Sequence, residues 1–537
     1  PAGALASAWP LAGGDASRSG SEAAGAALPA TPMWSVAGAA VRTPIVVTSA
    51  AAPDAQRVAY GTADGRVHVR ALLTGAAVGP VDGVPATNDA LTDPGSAFGP
   101  DGVAAAPAAA ADELYVVHDD GGGIEVLRVD VTTGTRIGTA DVPVPGSLGC
   151  TVAGSPLLTP PAADGSRFLY FTIRGACTSG AGLLRWGISG AGALLGAPSV
   201  AALSGVTRGA SPSLVVLRDR SGAPRFYVAA PHSGGLALFD AARDLTASPD
   251  ATAVLPAGEL PQTPSAPATA DGLVAGAAGA GTPPAGALYV AADAGGATRV
   301  HRFVQDGDGT TLREAAVVKL DGAPATGLAV AETMTPSGPS ADGRLLVPTT
   351  SGVAVLRSAD LSRVVVSGGT GAAGGAPVAA GSLGLVGRAG QDLLAVDLRG
   401  GATDTVPGTA AVQLQPALAR GVLVTGSAAG VRALRTTDTT PPAVTLRGLP
   451  RSLRRGRRVT LPAGVADDRG VGSVVFRLGG RRLGRAAAPA AFAAAADLSA
   501  RVRIPARLKP RRYSLTATAT DASGLRRTVR RTVRVTR

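Results

Sequence analysis

The stretch Tyr60-Gly61-Thr62-Ala63-Asp64-Gly65-Arg66-Val67-His68-Val69-Arg70 contains the end of a short apolar strand, a tight turn and a second strand whose side chains alternate with period two. Its opening, VAYGT around Tyr60, returns as LYVV at Tyr115, LYFT at Tyr170, FYVA at Tyr227, LYVA at Tyr289, LLVP at Leu346, LGLV at Leu385 and VLVT at Leu423. The seven intervals are 55, 55, 57, 62, 57, 39 and 38 residues. Upstream of each lies a proline that opens another short strand: Pro44, Pro107, Pro156, Pro212, Pro267, Pro336, Pro377 and Pro416. The alternating third strand recurs at residues 123–128 and 352–357, and turns follow at Thr74-Gly75 and Thr133-Gly134. Units of this size, each with up to four antiparallel strands, read as blades of a β-propeller, because one such sheet buries both faces only when neighbours stack around a ring. Eight landmark pairs predict eight blades. The last unit runs out after its third strand, so Met33-Trp34-Ser35-Val36 is expected to complete it and close the ring.

Composition agrees with an all-β protein. The chain has 537 residues, of which 74 are Gly and 41 Pro, too many for long helices. Hydrophobic residues make up 45% and charged ones 16%, enough apolar matter for packed cores and too little charge for a disordered chain. No apolar run is long enough to span a bilayer as a helix. The net charge of +12 hides an asymmetry: from Pro441 onward there are 22 Arg, one Lys and four Asp, a balance of +19, which leaves −7 for the first 440 residues. Two surfaces of different character are expected, although a coding bias toward Arg, Ala and Gly explains the arginines equally well. Only Lys319 and Lys509 are lysines.

Trp9-Pro10, Gly13-Gly14-Asp15, Arg18-Ser19-Gly20, Trp34-Ser35-Val36, Arg42-Thr43-Pro44-Ile45-Val46 and the stretch from Tyr60 resemble the PQQ-binding-like repeat propellers. That family includes the quinoprotein alcohol dehydrogenases and non-enzymatic scaffold propellers of the bacterial envelope. The match is good over residues 9–78 and fades to strand landmarks beyond. After Pro441-Pro442 breaks the chain, Val444-Thr445-Leu446, Val459-Thr460-Leu461, Asp467-Asp468, Gly470-Val471, the strand from Val474 to Leu478 and the strand from Tyr513 to Asp521 resemble the bacterial Ig-like modules of secreted proteins. In the latter strand Tyr513, Leu515, Ala517 and Ala519 share one face and the hydroxyl residues the other, as in a half-buried sandwich strand. Gly479-Gly480 reads as a two-residue hairpin turn. The expected organisation is an extended segment over residues 1–32, a propeller over 33–438 and a basic Ig-like β-sandwich over 439–537.

Motifs for catalysis are missing. There is no C-x-x-C, H-E-x-x-H, P-loop or G-x-S-x-G, and His68, His118, His232 and His301 fall in four different blades. Gly369-Thr370-Gly371-Ala372-Ala373-Gly374 fits G-x-G-x-x-G, but Pro377 follows and no helix does, so it reads as an inter-blade loop. Asp306-Gly307-Asp308-Gly309 lacks the later ligands of a calcium loop and reads as a hairpin turn. The quinoprotein resemblance implies PQQ and calcium on the propeller axis, yet the adjacent-cysteine ring of those enzymes is missing and only three tryptophans exist. Trp186 reads as a packing residue. No position carries over as catalytic, cofactor-binding or metal-binding, and no cofactor is expected.

The expected function is that of a non-enzymatic binding or scaffold protein, outside the cell or at its surface, with any export leader already removed. The alternative is a quinoprotein-like dehydrogenase or another enzyme using the axial funnel; a third reading is a basic adhesion protein acting through its C-terminal domain. Export predicts a disulfide between Cys150 and Cys177. Arg451, Arg454, Arg455, Arg457, Arg458, Arg526, Arg527, Arg530 and Arg531 form runs that attract polyanions. The expected partner of this monomer is a cell-wall or other anionic polymer, or an envelope protein. Specific nucleic-acid binding is not expected, because the aromatic residues of the C-terminal domain are Phe476, Phe492 and Tyr513, and Phe476 and Tyr513 are placed to pack inward.

Overall fold

The computed structural model describes residues 21–537 apart from 49–54, 86–107, 219–223, 262–267, 270–286, 306–311, 369–376, 410–414, 488–494 and shorter connecting stretches. The segments quoted from residues 9–20, the loop at 369–374 and the turn at 306–309 lie outside the described residues. No α-helix occurs among those described, and none is long and apolar enough to cross a membrane.

Among the described residues, eight sheets of four or five strands follow one another along the chain, each built on an antiparallel meander. The first runs Val46–Val47, Arg57–Gly61, Arg66–Ala71, Val84–Pro85. In every sheet the repeated landmark occupies the second strand of the meander: Tyr115 in Glu113–Asp119, Tyr170 in Arg167–Gly175, Tyr227 in Pro224–His232, Tyr289 in Ala287–Asp293, Leu346 in Arg344–Thr349, Leu385 in Leu383–Arg388, Leu423 in Val422–Ser427. Pro156, Pro212, Pro377 and Pro416 stand directly before the innermost strand of their sheets, where a residue without an N–H costs the ladder nothing. The sixth unit departs from this. Its innermost strand is Ala329–Ala331, upstream of Pro336. Leu328, Ala329 and Val330 are buried there, whereas Pro336 lies outside the described residues, and the short strands Met334–Thr335 and Gly338–Pro339 pair only with each other.

Alternate residues of one strand pack in opposite directions. Leu114 and Val116 join a cluster with Val46, Ala59 and Val69 of the first sheet, while Tyr115 and Val117 join Leu157 and Phe171 of the third. The same division places Leu288 against the fourth sheet and Tyr289 against the sixth. Each sheet therefore buries two apolar faces, and the series closes on itself, because Tyr60 and Val47 of the first sheet share a core with Leu418 and Leu423 of the eighth. Tyr60 is one register out from the other tyrosines: it faces back toward the eighth sheet, and Ala59 faces the second.

Closure comes from the N-terminal side. Strand Ala27–Ala37 pairs antiparallel with Gly430–Thr437, Trp34 lying opposite Ala433, in the sheet that holds Leu423. Trp34 is pinned by its indole N–H, which donates to the Leu72 carbonyl at 2.9 Å. Residues 27–32, expected in the N-terminal segment, thus belong to the eighth sheet, and Ser21–Glu22 adds a parallel pair to the seventh.

Residues 443–537 form two further sheets. One has Arg458–Ala466 between Ala443–Thr445 and Ala495–Arg503; the other has the order Ser452–Arg454, Arg526–Thr536, Arg512–Asp521, Val471–Leu478, Arg481–Ala487. Leu461, Ala463, Leu498 and Val502 from the first meet Val474, Phe476, Leu515, Ala517 and Val533 from the second in one core, which makes a β-sandwich. Gly479 and Gly480, at φ 56° and 85°, form the turn between the Val471–Leu478 and Arg481–Ala487 strands.

Candidate anion-binding face

Because strand residues alternate sides, the buried residues of the five-stranded sheet fix which arginines point outward. Leu515, Ala517 and Ala519 face the core, so Ser514, Thr516, Thr518 and Thr520 face outward; Val474, Phe476 and Leu478 face the core, so Val475 and Arg477 face outward. Register extends the assignment. Arg530, Thr516, Arg477 and Arg482 form one row across four strands, and Thr528, Thr518, Val475 and Arg485 the next. Arg526 lies opposite Thr520, and Arg534 opposite Arg512. The result is a lane of hydroxyls, with Thr518 and Thr528 hydrogen-bonded at 2.9 Å, bordered by Arg526, Arg530 and Arg534 on one side and Arg477, Arg482 and Arg485 on the other. All six border arginines are exposed. Among the described residues the only carboxylate on these strands is Asp521, which is buried.

The nine arginines singled out from the sequence do not act together. Arg526, Arg530 and Arg454 lie on this outer face. Arg527 and Arg531 share the opposite side with Val529 and Val533 and are exposed. Arg455 and Arg457 lie in the turn, and Arg458 opens a strand of the other sheet, opposite Arg503. Arg451 is outside the described residues. Arg477, Arg482, Arg485 and Arg512 belong to the face without belonging to those runs. The signal that finds them is strand parity, read against the buried residues.

In the propeller, Cys150 and Cys177 are joined as a disulfide with Cα atoms 4.8 Å apart. The paired strands explain the approach: Cys150 lies opposite Gly175. Each histidine is engaged within its own sheet. His68 bonds Thr62 at 3.0 Å and stacks on Tyr60, His301 bonds Glu314 at 2.6 Å, and His232 accepts the Gly234 N–H at 3.2 Å. His118 contacts Asp141 at 2.9 Å, both side chains fully buried, and Arg136 meets the other Asp141 oxygen at 3.0 Å. A carboxylate held between imidazole and guanidinium ties the Glu113–Asp119 strand to Thr135–Arg136 in the second sheet, and Arg136 also donates to the Pro85 carbonyl of the first at 2.7 Å. Glu125 offers a third ligand-type atom beside His118 and Asp141, and Asp438, Asp467 and Asp521 cluster where the chain enters the sandwich. Asp438 and Asp521 there cap backbone N–H groups of Thr440 and Leu525.

A quinone cofactor finds no matching residues among those described. The innermost strands are Val46–Val47, Ala108–Ala109, Leu157–Leu158, Ala268–Thr269, Ala329–Ala331, Val378–Ala380 and Ala417–Ala419, with the polar-edged Ser213–Arg218 in the fourth sheet. The two cysteines bond across a sheet margin, Trp34 lies in the closing strand, and Trp186 is buried with its N–H on the Gly196 carbonyl at 3.0 Å. Cys150, Cys177, Trp34 and Trp186 are thus each engaged in contacts within or between the sheets.

Taken together, the fold and the site define an all-β protein with a β-propeller and a basic β-sandwich. No protein-family model and no curated protein sequence matches the chain. Solved structures do. Sqt1 from Saccharomyces cerevisiae is 10% identical, with 78% of this chain and 100% of that one covered at a TM-score of 0.45. BamB from Moraxella catarrhalis is 15% identical, covering 74% and 85% at 0.31. Quinohemoprotein alcohol dehydrogenase from Comamonas testosteroni is 11% identical, covering 82% and 83% at 0.38. These likenesses concern the fold and assign no activity.

Proposed function

We propose that this protein is a non-enzymatic binding scaffold of the cell surface or extracellular space, with an eight-bladed PQQ-like propeller as interaction platform and an Ig-like sandwich that attaches it to anionic surface polymers. The observation that carries the reading is the outer face of the five-stranded sheet, where exposed arginines flank hydroxyls with no exposed carboxylate among the described residues. A guanidinium stays charged at any physiological pH and presents a planar fork of donors to phosphate or carboxylate, so such a face attracts polyanions irrespective of sequence. The eight meander sheets and the N-terminal closing strand support a rigid platform.

The test is co-sedimentation of the full chain with anionic wall polymer at low and high salt. Retention at low salt that is lost at high salt is expected, because displaced counterions make polyanion binding salt-dependent. Equal sedimentation at both salts, or none at either, overturns the reading.

A further inference from the structure

We infer that the outer face of the five-stranded sheet is the binding site for a linear phosphodiester polymer, which lies along the hydroxyl lane between the two rows of arginines. This rests on the attachment reading above and adds to it a particular face, a ligand class and an orientation. Two features point to a ligand.

The first is electrostatic. Arg512 stands directly opposite Arg534, and Arg477 directly opposite Arg482. Like charges at opposed positions destabilise a sheet, and here two such pairs recur on one face with no exposed carboxylate among its described residues to offset them. The other sheet also opposes Arg458 to Arg503, but its outward side carries Asp497 as well. An anionic ligand on the five-stranded face relieves a repulsion that the fold otherwise bears.

The second is geometric. Arg526, Arg530 and Arg534 recur every four residues, about 13 Å along the strand, and the row containing Arg477 lies two strand spacings away, roughly 10 Å. An extended chain running parallel to the strands meets guanidinium groups on both flanks, while Thr516, Thr518 and Thr520 beneath it donate to phosphoryl oxygens and accept from polyol hydroxyls. A lipid surface is served less well, because the face offers no large exposed apolar side chain to insert: Val475 is only partly exposed, Ala487 is small, and the rest are Ser, Thr and Arg. Single-stranded nucleic acid lacks stacking platforms there, since Phe476 is buried and Tyr513 shares the core-facing side.

The test compares three full-length proteins: wild type, the double variant Arg477→Gln with Arg482→Gln, and the double variant Arg527→Gln with Arg531→Gln. Both variants lose the same charge from the same sheet, but only the first changes the lane. The probe is deacylated poly(glycerol phosphate), titrated over a range of salt, with phosphatidylglycerol vesicles and oligothymidylate at equal anionic charge as competitors. The expected result is a weakened Arg477/Arg482 variant whose salt slope falls by about two, one per lost contact, and an Arg527/Arg531 variant close to wild type. Polymer is also expected to raise the unfolding temperature of the wild type more than that of the Arg477/Arg482 variant. Equal weakening of both variants overturns the lane while leaving polyanion attachment standing. Tighter binding of vesicles or oligothymidylate than of the polymer overturns the ligand class. No binding of wild type to any of the three overturns the attachment reading itself.

Discussion

The tyrosine that marks the repeat has a structural task in two of the sheets. Tyr170 donates to the Ala241 carbonyl at 3.4 Å and Tyr289 to that of Ser358 at 2.7 Å. Each acceptor lies just beyond the third strand of the following sheet, so the hydroxyl rivets one sheet to the next. Burial pushes the Tyr170 hydroxyl up to about 12, so this bond keeps its proton at any working pH. Tyr289→Phe leaves the Ser358 carbonyl without its partner and is expected to cost about 1–3 kcal/mol, read as a lower urea midpoint with an unchanged slope. His232 responds to acid. Burial lowers its pKa below the usual 6.5, so the folded state favours the neutral ring and the unfolded chain binds more protons. Its stabilising contribution is complete above the unfolded value of 6.5 and is lost as pH falls through the lower folded value. His232→Gln is expected to flatten the pH dependence of the unfolding midpoint in that window.

At the scale of elements, the strand repeat was legible because landmark residues are buried and burial constrains their type. The arginine face was not. Arg526-Arg527 and Arg530-Arg531 look like runs in sequence, yet alternation sends Arg526 and Arg530 to one side and Arg527 and Arg531 to the other. A register shift after Phe476 sets Arg482 opposite Arg477, and Leu483 falls between the aligned pairs. No periodicity in the sequence announces such a bulge. The register of Tyr60 was equally hidden, since the local pattern around it matches the other units. Two element-level outcomes follow. Removing residues 1–37 strips the partner from Gly430–Thr437 and bares a sheet edge; the truncated chain is expected to associate in a concentration-dependent way, which light scattering reads. Reducing the Cys150–Cys177 bridge, which spans 27 residues, is expected to cost about 2–4 kcal/mol. Denaturant titration with and without reductant measures the difference, and two free thiols in the unreduced purified protein overturn the bridge.

For the whole molecule, charge and architecture divide together: the sandwich region carries +19 and the first 440 residues −7. That division was readable from composition alone, and so was the lack of adjacent cysteines, whereas the strand positions of Trp34 and Trp186 needed the structure. Purified protein given PQQ and calcium is expected to show no dye-linked alcohol oxidation; saturable turnover would restore the dehydrogenase alternative. Over residues 526–533 the last strand has no partner on its far side among the described residues, and the exposed Arg527 and Arg531 place charge on that open stretch, an arrangement that opposes edge-to-edge association of the sandwich.

The closing strand also imposes an order on biosynthesis. Ala37 pairs with Gly430, 393 residues later in the chain. At about 5–20 residues per second on the ribosome, the early strand waits roughly 20–80 s for its partner to emerge. Throughout that interval the nascent sheets can stack on one another but cannot form a ring.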